Sequence, residues 1–294
     1  MKRLILSAIA VAASAAAALT PATAATIKVG SKNFTEQYIL AEMYAALLEH
    51  AGFEVERKIN LGGTLIAQQA LTTGQIDLYP EYTGTALSAV VKGTMSSDPA
   101  KVYNDVKDFY AKNFNVTWLK PTGINNTYVI LMRREAADAQ GLKTLTDLAK
   151  VSPNLVLGAG SEFADRPDGL PGLKRVYGIA FKDNKQFAKL GLRYDALSQK
   201  DIDVANGSAT DWQIGTKDFK VLDDDKGLFP PYYVAPIVRQ QVLDANPKVA
   251  EVLESLGSHL DNATMRVLNA KVENDHEEPK DVAEDFLKEK GLLP

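Results

Sequence analysis

Cysteine is absent from this sequence of 294 residues, so the chain forms no disulfide and offers no thiol for catalysis or lipid attachment. Histidine is scarce: His50, His259 and His276 are the three, and none stands in a recognised metal-binding or nucleophile spacing. The HExxH, GxSxG and phosphate-binding glycine-loop motifs are missing as well. The sequence therefore predicts no catalytic residues, no metal site and no cofactor.

An excess of positive charge is also lacking. The chain has 33 Lys and Arg against 37 Asp and Glu, a formal net charge of −4 at pH 7. Nucleic acids and anionic membrane surfaces are poor partners for such a chain, so no nucleic-acid partner is predicted. The apolar fraction of 46% and the charged fraction of 24% are ordinary for a globular protein.

One long apolar run is present, at the N-terminus. Lys2 and Arg3 precede an alanine-rich stretch over residues 4–19, and small residues follow at 22–25. This order is typical of a secretory signal peptide, with an uncleaved anchor as the alternative. We expect residues 1–25 to be removed and the mature chain to work in the periplasm. Because no cysteine is available, we expect it to carry no lipid anchor.

Strands and helices alternate along the rest of the chain. A short strand at residues 26–29 leads through a polar loop into a helical pattern that carries Ile39 and Leu47. Similar units follow, which predicts an α/β class with crossover helices. Their number favours two lobes over one large domain. We expect the chain to cross between the lobes near residues 123–126 and 229–233.

Two acidic groups have the appearance of reactive centres. Asp77 and Glu81 would form an acid–base couple if their side chains met, and residues 275–278 (Asp-His-Glu-Glu) contain metal-ligand types. Adjacent residues do not converge on one ion, and surface or capping acids are much commoner than acid–base couples. We interpret both groups as non-catalytic.

Tyrosines beside turn residues are the most informative feature. Aromatic faces in loops are suited to lining a cleft, and they attract a quaternary ammonium, which is weakly hydrated and cannot lose its charge. Core packing is the alternative for each tyrosine taken alone. A cage for a zwitterion also needs a cation for the ligand carboxylate, and Lys32 and Arg166 lie in predicted loops. The tyrosines concerned are Tyr79, Tyr82, Tyr128, Tyr232 and Tyr233.

Four motifs, in this order, resemble those of the glycine betaine/choline/carnitine-binding proteins of osmoprotectant ABC importers. They are VGSKNFTEQ at 29–37, DLYPEYTGT at 77–85, NNTY at 125–128 and DDKGLFPPYYVAP at 224–236. The resemblance implies a two-lobed periplasmic-binding-protein fold, type II-like, with the ligand cleft between the lobes. It also implies that lobe I comprises residues 26–124 and 233–294, and lobe II residues 125–232.

The same resemblance implies a ligand-binding set. Three tyrosines form the cage, two basic residues bind the ligand carboxylate, and two further residues make polar contacts. In that order they are Tyr82, Tyr128 and Tyr232, then Lys32 and Arg166, then Thr85 and Asn126.

The sequence departs from the family at Ser208, where relatives commonly have a tyrosine. A lost cation–π contact in a desolvated site is worth about 1–2 kcal/mol, so glycine betaine binds more weakly or a bulkier ligand fills the gap. Alternatively, Ser208 donates a hydrogen bond to the ligand, or Trp212 supplies the missing aromatic face.

The function implied is that of a monomeric receptor that delivers a quaternary ammonium solute or another zwitterion to an ABC permease with its cytoplasmic ATPase. Choline, carnitine, a thiol-derived betaine or an amino acid are the alternative ligands. An enzyme on the same scaffold is a different alternative, because fold does not determine function. A periplasmic sensor or chaperone is the third.

Overall fold

The computed structural model describes residues 26–294, which form ten strands, fourteen α-helices, one π-helical segment and two short 3-10 helices, Ser152–Asn154 and Gly257–His259. Residues 1–25, predicted above as a signal peptide, lie outside the described part of the chain. In chain order the strands are β1 (Ile27–Gly30), β2 (Val55–Lys58), β3 (Leu78–Tyr82), β4 (Val116–Trp118), β5 (Tyr128–Arg133), β6 (Val156–Ala159), β7 (Asp183–Gln186), β8 (Val204–Ser208), β9 (Phe219–Leu222) and β10 (Val234–Arg239).

The helices lie between the strands and after the last one. Residues Ala86–Val91 form a π-helical segment directly after α3. In chain order the helices are α1 (Thr35–His50), α2 (Thr64–Thr72), α3 (Thr83–Thr85), α4 (Pro99–Phe114), α5 (Arg134–Ala139), α6 (Leu145–Val151), α7 (Ser161–Asp165), α8 (Leu170–Tyr177), α9 (Leu192–Ser198), α10 (Gln213–Thr216), α11 (Gln240–Ala245), α12 (Lys248–Glu254), α13 (Asn262–Glu273) and α14 (Pro279–Glu289).

The strands form two five-stranded sheets, ordered β2-β1-β3-β10-β4 and β7-β6-β8-β5-β9. In the first sheet β1 is parallel to β2 and β3, whereas β10 is antiparallel to β3 and β4. In the second, β6 is parallel to β7 and β8, whereas β5 is antiparallel to β8 and β9. Because β10 joins the first sheet only after β9, the second lobe is inserted into the first.

Each sheet has a core on both of its faces, because successive strand residues point to opposite sides. In β3, Leu78 packs beneath α1 and the C-terminal helices, while Tyr79 packs on the other face with residues of α2 and α4. In β5, Ile130 packs in one core of the second lobe, and Leu131 packs in another core on the opposite face of the sheet. Within residues 26–294, no helix combines the length and the apolar character needed to cross a bilayer.

The two chain crossings between the lobes lie side by side and form a short ribbon. The backbone N–H of Asn126 donates to the carbonyl of Tyr232 at 3.1 Å, and that of Val234 donates to the carbonyl of Ile124 at 3.1 Å. The side chain of Asn125 adds a third link by accepting the Tyr232 N–H at 2.8 Å. The predicted lobe boundaries, at 124/125 and 232/233, fall in this ribbon and stay a prediction.

Candidate ligand-binding site

A cavity of about 290 Å³ lies between the two lobes. Its walls come from the carboxyl ends of β1, β3, β6 and β8 and from the start of β5, which all face the cleft. Polar and aromatic residues collect there because loops at the carboxyl ends of parallel strands meet at one edge of a sheet. The structure brings all eight sequence-predicted site residues to this cavity: Lys32, Tyr82, Thr85, Asn126, Tyr128, Arg166, Ser208 and Tyr232.

The three predicted cage tyrosines line one part of the cavity. The rings of Tyr128 and Tyr232 meet edge to face, with centroids 5.5 Å apart and planes at 64°. The ring of Tyr82 stacks at 6.1 Å on Phe34, which also lines the cavity. Burial raises the pKa of Tyr128 to about 12, so its phenol is neutral at physiological pH. Burial also raises the pKa of Tyr82 and Tyr232, so all three rings are neutral. Lys32 Nζ lies 5.1 Å from the ring centroid of Tyr82 and Arg166 Cζ 5.4 Å from that of Tyr128, so these electron-rich rings already attract cations in the site.

The hydroxyls of two of these tyrosines are held by buried acids. Tyr82 donates to Oε1 of Glu36 at 2.7 Å, and Tyr232 donates to Oδ2 of Asp168. A hydrogen bond to the hydroxyl fixes the orientation of the ring and does not involve its π-face. The hydrogen bonds therefore preorganise the cage before any ligand arrives.

Lys32 and Arg166 are buried, and each has a carboxylate partner. Lys32 Nζ lies 2.5 Å from Glu81 Oε1 and 3.3 Å from Thr64 Oγ1. Arg166 binds Asp168 in a fork, with Nε 2.9 Å from Oδ1 and Nη2 2.5 Å from Oδ2. Each cation keeps further N–H donors beyond these bonds, because an ammonium carries three and a guanidinium five. The pairs therefore offer donors to an anionic group without leaving an isolated buried charge.

Asp168 joins several elements. It accepts hydrogen bonds from Arg166, from Ser88 Oγ of the first lobe at 2.6 Å, and from Tyr232 of the crossing ribbon. Burial opposes ionisation of this carboxyl, but the charge of Arg166 and the hydrogen bonds outweigh it and lower its pKa below the ordinary value. Asp168 is therefore an ionised, fully buried link between the lobes.

Glu36 is a second buried carboxylate, at the start of α1, and sequence analysis assigned it no part in the site. Besides Tyr82, it accepts Asn126 Nδ2 at 2.9 Å and the hydroxyl of Thr210 from the second lobe. Burial raises its pKa, although the hydrogen bonds from Thr210, Tyr82 and Asn126 partly offset this effect. Its partners come from both lobes and from the ribbon, which the local sequence around position 36 does not reveal.

The wall around Ser208 contains three more residues that sequence analysis missed. Ser208 pairs with Tyr128 across β8 and β5. One oxygen, Asp211 Oδ2, accepts the Ser208 N–H at 2.9 Å, Arg193 Nη2 at 2.6 Å and the hydroxyl of Tyr194. Arg193, Tyr194 and Asp211 all line the cavity. Ser208 thus lies beside an ion pair between the buried Arg193 and the partly buried Asp211.

Trp212 is not in the cavity wall, contrary to the alternative that it replaces the missing aromatic face. Its indole N–H donates to Glu273 Oε2 at 3.0 Å, at an exposed contact with α13. The next residue, Gln213, donates to the same oxygen at 3.2 Å. Trp212 therefore joins the lobes outside the cavity.

Hydrogen bonds between the lobes close both rims of the cavity. On one side Glu162 of α7 accepts the backbone N–H of Thr64 at 2.6 Å and its hydroxyl at 3.0 Å. On the other, Arg266 Nη1 donates to the carbonyl of Ala209 at 2.7 Å, and Asn269 donates to that of Thr210 at 3.0 Å. The structure therefore shows the lobes in a closed arrangement.

The acidic groups singled out in the sequence form no reactive centre. Asp77 accepts the Lys28 N–H at 2.9 Å and Arg239 Nη1 at 3.2 Å, outside the cavity lining. Glu81 is occupied by Lys32 and by the hydroxyl of Tyr79. Over residues 26–294, no group of three or more His, Cys, Asp or Glu is placed to hold a metal ion.

The fold is similar to that of solved binding proteins. A structure described as a glycine betaine/carnitine/choline ABC transporter superposes with a TM-score of 0.75 and 32% identity over 91% of this chain and 100% of its own. A second, apo YehZ from Escherichia coli, has a TM-score of 0.69 and 30% identity over 92% of this chain and 100% of its own. The prediction of a two-lobed α/β binding protein is confirmed.

Sequence comparison narrows this class to one family. Residues 25–289 match the model described as the substrate binding domain of ABC-type glycine betaine transport system. The glycine-betaine-binding protein of Pseudomonas aeruginosa is 38% identical over 92% of this chain and 90% of its own length. The chain belongs to this family, which confirms the resemblance and the transport role predicted from the four motifs.

A relative with a different described ligand is nearly as similar. The ergothioneine transport permease/ergothioneine binding protein EgtU of Helicobacter pylori is 37% identical over 90% of this chain. The chain spans 47% of that longer protein. Membership of the family therefore places this chain in an ABC transport system, with its membrane permease and ATPase, and leaves the ligand to be argued from the site.

Proposed function

We propose that this chain is a periplasmic substrate-binding protein that captures a betaine-type solute for an ABC importer. The observation that carries the proposal is the joining of three tyrosine rings and two buried basic side chains in one cavity closed by both lobes. Rings bind the quaternary ammonium, and the cations bind the carboxylate of the same zwitterion. A ligand with only one of these groups would leave the other half of the site unused.

Each predicted site residue has a place in this scheme. Tyr82, Tyr128 and Tyr232 supply the cage faces, and the free donors of Lys32 and Arg166 bind the carboxylate. Two further residues, Thr85 and Asn126, provide polar contacts at the cage edge. Because the cations are already paired with Glu81 and Asp168, the empty site tolerates burial, and the ligand adds hydrogen bonds in place of water.

Lobe closure is the working step. A ligand in the cleft contacts both lobes, so it stabilises the closed arrangement in which Glu162 bonds Thr64. The closed form then presents the solute to the permease. This work breaks no covalent bond, and we propose that the protein is not an enzyme. We also propose that it acts as a monomer, divided at 124/125 and 232/233, after loss of residues 1–25.

Calorimetric titration of the ligand-free mature protein tests the proposal. We expect saturable binding of glycine betaine or carnitine, lost or strongly weakened in Tyr82→Ala and Tyr232→Ala, and weaker binding of choline, which lacks the carboxylate. The matched control is Tyr38→Ala in α1, a partly exposed tyrosine that does not line the cavity. Absence of binding by every quaternary amine, with the protein folded, would refute the betaine assignment. Equal loss in the Tyr38 variant would refute the cage.

A further inference from the structure

Arg193 is a buried cation in the cavity wall that the proposed betaine contacts do not use. It is 1% exposed, and the geometry gives it one side-chain hydrogen bond, from Nη2 to Asp211 Oδ2. Its Nε has no hydrogen-bond partner among residues 26–294. A guanidinium has five N–H donors, and buried donors without partners are rare because they have lost their hydration. Arg193 therefore has buried N–H donors that a ligand with a hydrogen-bond acceptor could satisfy.

A second buried polar atom at the same end of the cavity also lacks a partner. Asn269 of α13 lines the cavity and donates through Nδ2 to the carbonyl of Thr210, but its Oδ1 accepts no hydrogen bond within the described chain. Thr210 is next to Asp211, the partner of Arg193. This end of the cavity thus holds both an unsatisfied donor group and an unsatisfied acceptor.

Ser208 lies in the cavity wall at this end. Its backbone N–H bonds the same oxygen, Asp211 Oδ2, that holds Arg193 and Tyr194, so its side chain starts directly beside them. A tyrosine at this position would occupy the space between the cage and Arg193. Tyr194 lines the cavity beside this space, and its hydroxyl lies 2.5 Å from where a Cβ on the neighbouring Gly207 would stand.

We propose that the ligand is a betaine with a polar side chain, and that Arg193, Ser208 and Asn269 form a subsite for the end of that side chain. This rests on the proposed function, since the cage and the Lys32–Arg166 end hold the betaine part. A side chain that both accepts and donates hydrogen bonds fits Arg193 and Asn269 together. A heteroaromatic ring with an N–H and an acceptor has this chemistry, and glycine betaine does not.

The charges around the subsite argue for such a ring over a second carboxylate. Arg193 is already paired with Asp211, so an added anion would meet that carboxylate as well as the guanidinium. Glu273, which also lines this end, would repel it further. A neutral polar ring takes up the free donors without this repulsion.

The test compares two ligands on three proteins by calorimetric titration. The ligands are glycine betaine and ergothioneine, a trimethylammonium betaine with an imidazole-thione side chain. The proteins are the wild type, Ser208→Tyr, and the double variant Arg193→Met/Asp211→Asn, which removes both charges together so that neither is left unpaired. Thermal unfolding confirms that each variant is folded.

We expect the wild type to bind ergothioneine at least about tenfold more tightly than glycine betaine. In Ser208→Tyr this preference should reverse, because the new ring blocks the subsite and completes the cage, raising affinity for glycine betaine about five- to thirtyfold. In the double variant the preference should fall at least about tenfold. If Ser208→Tyr does not fold, the ligand preference of the double variant alone tests the subsite.

Two results would overturn the inference while leaving the proposed function intact. One is wild-type binding of glycine betaine as tight as, or tighter than, that of ergothioneine. The other is a ligand preference unchanged in the folded variants. Absence of binding by both betaines would instead overturn the proposed function, and this inference with it.

Discussion

Replacing Asp168 by Asn should reveal how far stability and lobe closure depend on one buried carboxylate. Asp168 is fully buried and accepts hydrogen bonds from Arg166, Ser88 and Tyr232. The Asp168→Asn side chain has nearly the same shape, but it removes the buried counter-charge of Arg166 and leaves only Glu162, at 3.9 Å, as a carboxylate neighbour. Its amide also turns one acceptor position into a donor that faces the donors already there.

Breaking a buried ion pair by removing one partner costs about 3–5 kcal/mol. For a chain of this size each kcal/mol lowers Tm by about 2–4 °C, which gives an expected fall of about 6–20 °C. The double variant Arg166→Met/Asp168→Asn should lose much less, because it leaves no unpaired charge. Removal of the Ser88 and Tyr232 contacts should also weaken lobe closure and therefore ligand binding.

The assay is thermal and urea unfolding of the ligand-free protein, followed by titration with the best betaine ligand. Asp165→Asn is the matched control, because this residue lies three positions before Asp168, at the end of α7, and is exposed. If Asp168→Asn lowered the free energy of unfolding by less than about 1 kcal/mol, the reasoning would be refuted, since an ordinary surface substitution has an effect of that size. A loss equally large in Asp165→Asn or in the double variant would refute it too.

Two further predictions concern the contacts between the lobes. The raised pKa of Glu36 means that its ionisation opposes folding, so its contribution to stability should fall as pH rises above 4.5 towards the folded pKa. The free energy of unfolding of Glu36→Gln should therefore rise relative to that of the wild type between pH 4 and 8. A difference between the two proteins that stays constant over this range would contradict the prediction. In Gly63→Ala the added Cβ would lie 2.1 Å from Glu162 Oε1, so Glu162 must leave Thr64. We expect ligand affinity about three- to tenfold lower, from the loss of one to two hydrogen bonds, and no change in Gly215→Ala, where a Cβ meets nothing within 4 Å.

Much of the site was predictable because its residues stand in compact motifs. Tyr82 ends β3, and Thr85 lies three residues later in α3. Asn126 and Tyr128 lie together at one of the crossings, so two short segments bring these four residues to the cleft. All eight predicted residues line one cavity. Their contacts with a ligand stay a prediction that the titrations above address.

The missed residues have no such local signature. In the local sequence, Glu36 looks like an ordinary acidic residue in the first turn of a helix. Its hydrogen bond with Thr210 joins residues 174 positions apart. Arg193 and Asp211 are 18 positions apart and meet only because α9 packs beside β8. Acids and bases are common on every surface, so a sequence marks such a residue as functional only when its partner is known.

The sequence by itself determined the α/β class, the family and the residue types that the cleft collects, because strand and helix periods and turn motifs depend on neighbours along the chain. Tertiary structure alone decided which charges are paired. Lys32 meets Glu81 across 49 positions, and Arg193 meets Asp211 across 18. Burial makes those pairings decisive, since an unpaired buried ion has lost its hydration and needs a partner charge to compensate for it.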